Sequence, residues 1–320
     1  MKFNLGTAKL AGEYRLVAST DPEGKEVTKD TGWFGNLITD AGVERIGLVN
    51  LNGQHDVRDS ILRAVRVGSG STTPTFTDTS LDLEIASISL DGNGYGPPYI
   101  SSDGSNYTDG YMHMTVVRQF GEGAAAGNLS EIGLGDADNL FSRALILDEF
   151  GSPTTITVLA NEYLTVYYTL RVYIPQTDVV ISAHPILIDG VSTPHDITIR
   201  PNNANSYDDR LSSGSAGSDW SFSNTANDEP RGKVSSGGLV APTSDRAGTA
   251  SSSYANQSYV LNSLEKYVDF VWDVNTANFS VSTFVITGGL GSFQFNVDPA
   301  LAKDNTKEIR ATFGFSWARA

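Results

Sequence analysis

The feature that most constrains this chain is the strict two-residue alternation of Tyr163–Ile174. Leu164, Val166, Tyr168, Leu170, Val172 and Ile174 fall on one side, and Tyr163, Thr165, Tyr167, Thr169, Arg171 and Tyr173 on the other. An extended strand sends successive side chains to opposite faces, so this segment reads as β with at least one face buried. Pro175 removes a ladder donor and ends it. The period recurs at the end of the chain, where Ile309, Ala311, Phe313, Phe315 and Trp317 alternate with Arg310, Thr312, Gly314 and Ser316. That pattern predicts a closing strand paired inside a sheet.

Glu13–Ser19 alternates in the same way and runs into Asp21-Pro22-Glu23-Gly24. Pro in the second and Gly in the fourth place suit a type I turn, so a hairpin into Val27–Trp33 is expected. Ile61–Val67 and Met112–Phe120 also read as strands. The clearest helix candidate follows Thr39, a suitable N-cap, with Asp40 in the first turn and Val43 and Ile46 spaced i, i+3. Gly42 and Gly47 limit it to two or three turns. The expected fold is mainly β: antiparallel sandwich-like modules with one short helix near 40–50.

A boundary is expected near Pro175–Asp178, giving a β-rich domain over 1–175 and a second over 176–320. Between about Asn202 and Asn256 the chain becomes rich in Ser, Asn, Gly, Ala and Asp. Such a stretch reads as a surface excursion anchored by Trp220 and Phe222, or as an ordered binding loop. No repeat of fixed period is present, which disfavours a β-helix or propeller.

Charge and composition narrow the functional classes. The 320 residues carry 22 Lys+Arg against 37 Asp+Glu, a formal net charge of −15. Phosphate backbones and anionic membranes both require a basic surface, so neither nucleic acid nor membrane is an expected partner. The absence of cysteine removes disulfides, Cys-based zinc sites and thiol nucleophiles together. The first residues lack the apolar core of a secretory signal and no window is long enough to span a bilayer, so synthesis in a cytosol is expected.

Candidate chemistry is thin. His55, His113, His184 and His195 accompany no Gly-x-Ser-x-Gly elbow. His184 and His195 could meet across a hairpin, yet nothing marks them as more than surface or hydrogen-bonded residues. With 37 acids, a glycosidase-like carboxylate pair is met by chance. Trp220 and Tyr254 suit either a sugar-stacking platform or loop anchoring. Asp136-Ala-Asp138-Asn139 opens like a calcium loop, but Phe141 and Leu147 occupy the places of its Gly and Glu, and a tight turn explains the acids equally. Gly68-Ser69-Gly70 follows a strand but precedes no helix, so the phosphate-cradle reading fails. No catalytic residue, cofactor site or metal site is assigned.

Three stretches in order carry a resemblance. They are Asn36-Leu-Ile-Thr-Asp-Ala-Gly-Val-Glu-Arg-Ile46; Val67-Gly-Ser-Gly-Ser-Thr-Thr-Pro74 with Asp78-Thr-Ser-Leu81; and Gly127-Asn-Leu-Ser-Glu-Ile-Gly-Leu-Gly-Asp-Ala-Asp-Asn-Leu-Phe141. Together they resemble the N-terminal virion-attachment region of tailed-bacteriophage tail fibre, collar and whisker proteins, over roughly residues 30–175. Gly135 stands where that family usually has Phe or Tyr, and Asn139 where it has Gly. A repetitive fibre shaft is missing after residue 175. The resemblance implies a non-enzymatic virion structural protein, made in the bacterial host cytoplasm, that assembles as a trimer or higher symmetric homo-oligomer and contacts other virion proteins. A head-decoration or neck protein, or a module binding host receptor or surface glycan, is the alternative. The candidate interface residues are Tyr163, Tyr167, Tyr173, Trp220 and Trp317.

Overall fold

The computed structural model describes residues 2–48, 63–89, 100–101, 110–136, 138–202, 231–242, 244–288 and 291–320. The architecture is mainly β, with a single helix among the described residues. Three large sheets organise it: one of nine strands, one of five and one of six.

The opening strand, Lys2–Ser19, explains how they fit together. Its first part, Lys2–Leu10, pairs in parallel with the closing strand Ile309–Arg319. Its second part, Lys9–Ser19, pairs antiparallel with Tyr163–Tyr173. One strand thus joins two sandwiches through a continuous sheet. In the first sandwich, this sheet packs on the five-stranded one, and the Tyr168 ring meets Phe141 edge-on at 6.4 Å. In the second it packs on the six-stranded sheet, where Phe3, Phe295 and Phe313 lie 4.5–6.0 Å apart between ring centres. Phe284, Phe270 and Trp272 extend that aromatic core. Each such side chain contributes several kcal/mol, on the order of 3–5 by truncation.

The predicted elements fall close to their expected places. Alternation in Tyr163–Tyr173 buries Leu164, Val166, Tyr168, Leu170 and Val172 on one face. The closing strand lies between Lys2–Leu10 and Glu265–Trp272, inside the sheet. Strands occupy Ala64–Gly68 and Tyr111–Phe120, and residues 61 and 62 of the first expectation lie outside the described residues. The turn after Ser19 leads into a short strand, Val27–Asp30. Asp21 caps that turn by accepting from the amides of Glu23, Lys25 and Glu26.

The helix spans Asp40–Leu48, and the Thr39 hydroxyl accepts from the Gly42 amide at 2.9 Å as an N-cap should. It bridges the two sandwiches. Val43 gives its carbonyl to the Trp317 indole at 2.7 Å, and Glu44 takes the Tyr259 hydroxyl at 3.0 Å.

The chain leaves the first sandwich after Tyr173 and enters the six-stranded sheet at Val179. The described residues of the polar stretch 202–256 include three short strands. Arg231–Ser235 pairs with Ser280–Gly288, Ala250–Ser251 adds to it, and Ser253–Asn256 joins the nine-stranded sheet. Trp220 and Phe222 lie outside the described residues.

Candidate functional site

The three stretches that carry the resemblance converge in space, far apart though they are in sequence. Glu131 stands at the start of Glu131–Gly135, a central strand of the five-stranded sheet, and is wholly buried. One carboxylate oxygen accepts from the amides of Gly70 at 2.9 Å and Leu83 at 2.8 Å. The other accepts from the Asp82 amide at 3.1 Å and from the Arg143 guanidinium, Nε at 3.2 Å and Nη2 at 2.8 Å. Arg143 also donates to Asp78 at 2.6 Å and to the Thr72 carbonyl at 3.2 Å.

This cluster holds the loop from Ser69 to Leu83 flat on the sheet. The Gly-Ser-Gly sequence serves that approach, because a Cβ on Gly70 would lie 2.3 Å from a Glu131 oxygen. Burial pulls the Asp78 carboxyl up, but the Thr75 hydroxyl and amide and the Arg143 guanidinium outweigh it and leave the group below the usual carboxylate range. Thr39 ties in the remaining stretch by donating its hydroxyl to the Leu140 carbonyl at 2.5 Å. Between Glu131–Gly135 and Leu140–Leu145 the Asp136 amide donates to the Asn139 carbonyl at 3.1 Å. The Asp136 carboxylate accepts from the amides of Asp138 and Asn139 at 2.9 and 2.7 Å. The buried Glu131 carboxylate and Arg143 guanidinium are engaged inside the chain, so this cluster holds a shape.

The second region is the outward face of Tyr163–Tyr173, opposite the one that packs on the five-stranded sheet. Its side chains are bonded laterally to both neighbouring strands. Tyr167 lies under the Arg15 guanidinium, 5.9 Å from its ring centre, and meets the Trp33 ring at 6.3 Å. Arg15 is paired in turn with Asp30, and that hydrogen bond holds the carboxyl of Asp30 below its ordinary value. Thr169 shares a hydrogen bond with Thr115 at 2.8 Å, and Arg171 binds Glu13 at 2.5 Å. Tyr173 packs on Tyr111 at 5.2 Å, and Tyr163 reaches Glu122 at 3.5 Å. Trp33 remains 46% exposed at its edge. The face spans ten residue steps, about 33 Å, of half-buried aromatic and paired charged groups. Aromatic residues and arginine held in fixed rotamers are what protein interfaces concentrate.

Of the five candidate interface residues, Tyr163, Tyr167 and Tyr173 share this face. Trp317 does not. It is 3% exposed, stacked on Tyr259 at 5.7 Å and hydrogen-bonded to the helix, so its indole is enclosed within its own chain. Trp220 lies outside the described residues. Tyr254, the other half of the suggested sugar platform, pairs with Phe270 across strands and packs against the core.

His184 and His195 do meet as cross-strand partners. His195 is buried, with Nδ1 2.7 Å from the Pro299 carbonyl and Nε2 3.1 Å from the Thr193 hydroxyl, contacts that fix the imidazole. Among the described residues, no group of three His, Cys, Asp or Glu side chains could hold a metal ion, and no helix is long and apolar enough to cross a membrane.

Sequence reading missed the Glu131–Arg143 pair. Each residue sits in a strand buried on both faces, where the 69–83 loop, distant in sequence, supplies its partners. Comparison with protein families, with curated proteins and with solved structures finds no match for this chain.

Proposed function

We propose that the chain is a structural component of a tailed-bacteriophage particle, in its tail, collar or fibre, acting through protein–protein contacts and without catalysis. The observation that carries this reading is the convergence of the three resembling stretches, the second and third around Glu131 and Arg143 and the first joined through Thr39 to Leu140. Motifs whose buried ion pair is spent on holding a neighbouring loop fit a scaffold. In this reading the first sandwich docks onto the particle. The tyrosine face of Tyr163–Tyr173 meets a neighbouring copy in a trimer or higher symmetric assembly. A sheet with one face on its own core and the other preorganised for contact fits that role.

The experiment is to purify tailed particles from the lysate in which the chain is made and probe them with antibodies raised against it. The reading expects the protein in intact particles at a fixed ratio to the other structural proteins. Recovery only in the particle-free fraction would contradict it.

A further inference from the structure

The tyrosine face holds one titratable side chain that its pairings leave out. His113 stands on Tyr111–Phe120 directly opposite Arg171, on the same side of the sheet as Tyr163, Tyr167 and Tyr173. The ring is half-buried and lies 5.7 Å from that of Tyr111. Its Nδ1 is closed to water and has no hydrogen-bond partner among the described residues. A proton added there meets no acceptor.

The charges around the ring are already paired. Arg171 is held by Glu13 and lies 5.3 Å from the centre of the Tyr111 ring. Thr169 and Thr115, the next pair along, bond to each other. On Lys2–Ser19, Lys9 stands opposite Tyr173 and adds a second cation at this end. Ser101, opposite Thr115 on the outer strand Ile100–Ser101, is uncharged. The acids Asp30 and Glu122 stand toward the far end, where Asp30 holds Arg15 and Glu122 meets Tyr163. An imidazolium at 113 therefore has a guanidinium as its cross-strand neighbour and no free carboxylate among the described residues.

We propose that His113 makes assembly through this face depend on pH: a second copy covers the face when the ring is neutral and is released when the ring is charged. Histidine is the side chain whose ordinary charge change falls between about pH 5 and 8. In the free chain, water solvates the exposed part of the ring. Covering the face takes that water away, and a buried charge without a partner is costly. The covered form thus binds fewer protons at residue 113 than the free one, so lowering the pH favours the free chain. The rest of the molecule pulls the other way. Acid reduces the magnitude of the net −15 charge and with it the repulsion between copies, so weaker association in acid is opposite to the effect of net charge.

The inference rests on the reading that this face joins copies, and its test separates the two. Light scattering of the full chain across a concentration series, at about pH 8 and about pH 5.5, reads self-association, with circular dichroism checking the fold at both. The wild type should associate about tenfold more weakly at the lower pH, and His113→Gln should lose that dependence. Should the glutamine variant not fold, His113→Asn replaces it. A wild type that assembles as well or better in acid, or a dependence that survives the substitution, overturns the switch and leaves assembly standing. A wild type that stays monomeric at both pH values removes both.

Discussion

Arg143 and Glu131 meet diagonally across adjacent antiparallel strands at 2.8 Å, and their side chains are 2% and 0% exposed. A buried pair of this kind is a poor source of stability against a well-packed apolar replacement, but removing one partner strands the other charge. Here the stranded group would be a carboxylate that also anchors the amides of Gly70, Asp82 and Leu83.

Arg143→Met should therefore cost about 3–5 kcal/mol in chemical unfolding and loosen the 69–83 loop, seen as faster amide exchange at Gly70 and Leu83. Adding Glu131→Gln, which removes the stranded charge and keeps an acceptor for those amides, should recover part of the loss. A double-mutant cycle showing independent costs would contradict the lock.

Gly42→Ala tests a sign. In an exposed helix the change is worth about 1 kcal/mol in favour of alanine. At this position the new Cβ would lie 2.2 Å from the Phe141 carbonyl oxygen. The contact is with backbone and cannot move aside cheaply, so the variant should melt below the wild type. A higher melting temperature would mean that the helix does not dock there.

Glu162 sets part of the acid limb of stability. Burial raises its pKa, yet the Lys29 ammonium, the Thr28 hydroxyl and the Leu159 amide outweigh that and hold it at about 2. A folded-state value depressed below the unfolded one near 4.3 contributes stability above that pH and loses it as the pH falls towards 2. The contribution is about 2–3 kcal/mol. Glu162→Gln should flatten the stability–pH curve between about pH 4.5 and 2. An unchanged slope would place the titration elsewhere.

Tyr167→Ala and Trp317→Ala should part company. Tyr167 lies on the open face, and losing its cross-strand contacts with Arg15 and Trp33 should cost the protomer about 1 kcal/mol or less while weakening assembly. Trp317 is core, and its loss should cost about 3–5 kcal/mol whatever the assembly state. Equal effects on unfolding would contradict the division between face and core.

Much of the fold was legible because alternation is a local signal. Tyr163–Tyr173, the closing strand and the Thr39-capped helix each announce themselves within a dozen residues. What stayed hidden depends on distant partners. Trp317 reads as one residue of a stripe, and the helix that receives its indole comes from a distant part of the chain. Arg231–Ser235 is short and polar, and becomes a strand because Ser280–Gly288 offers it a ladder. The candidate site was legible in part: the three tyrosines lie on one face as their spacing required, but their neighbours Arg15, Trp33 and Tyr111 come from strands that sequence could not place beside them.

The most direct test of the central claim, that this chain is an assembling scaffold, is the molar mass of the purified protein by light scattering behind size exclusion. The account predicts a stable trimer or larger symmetric species, about three or more times the 34.2 kDa of one chain. A single 34.2 kDa species that persists as concentration rises would contradict it.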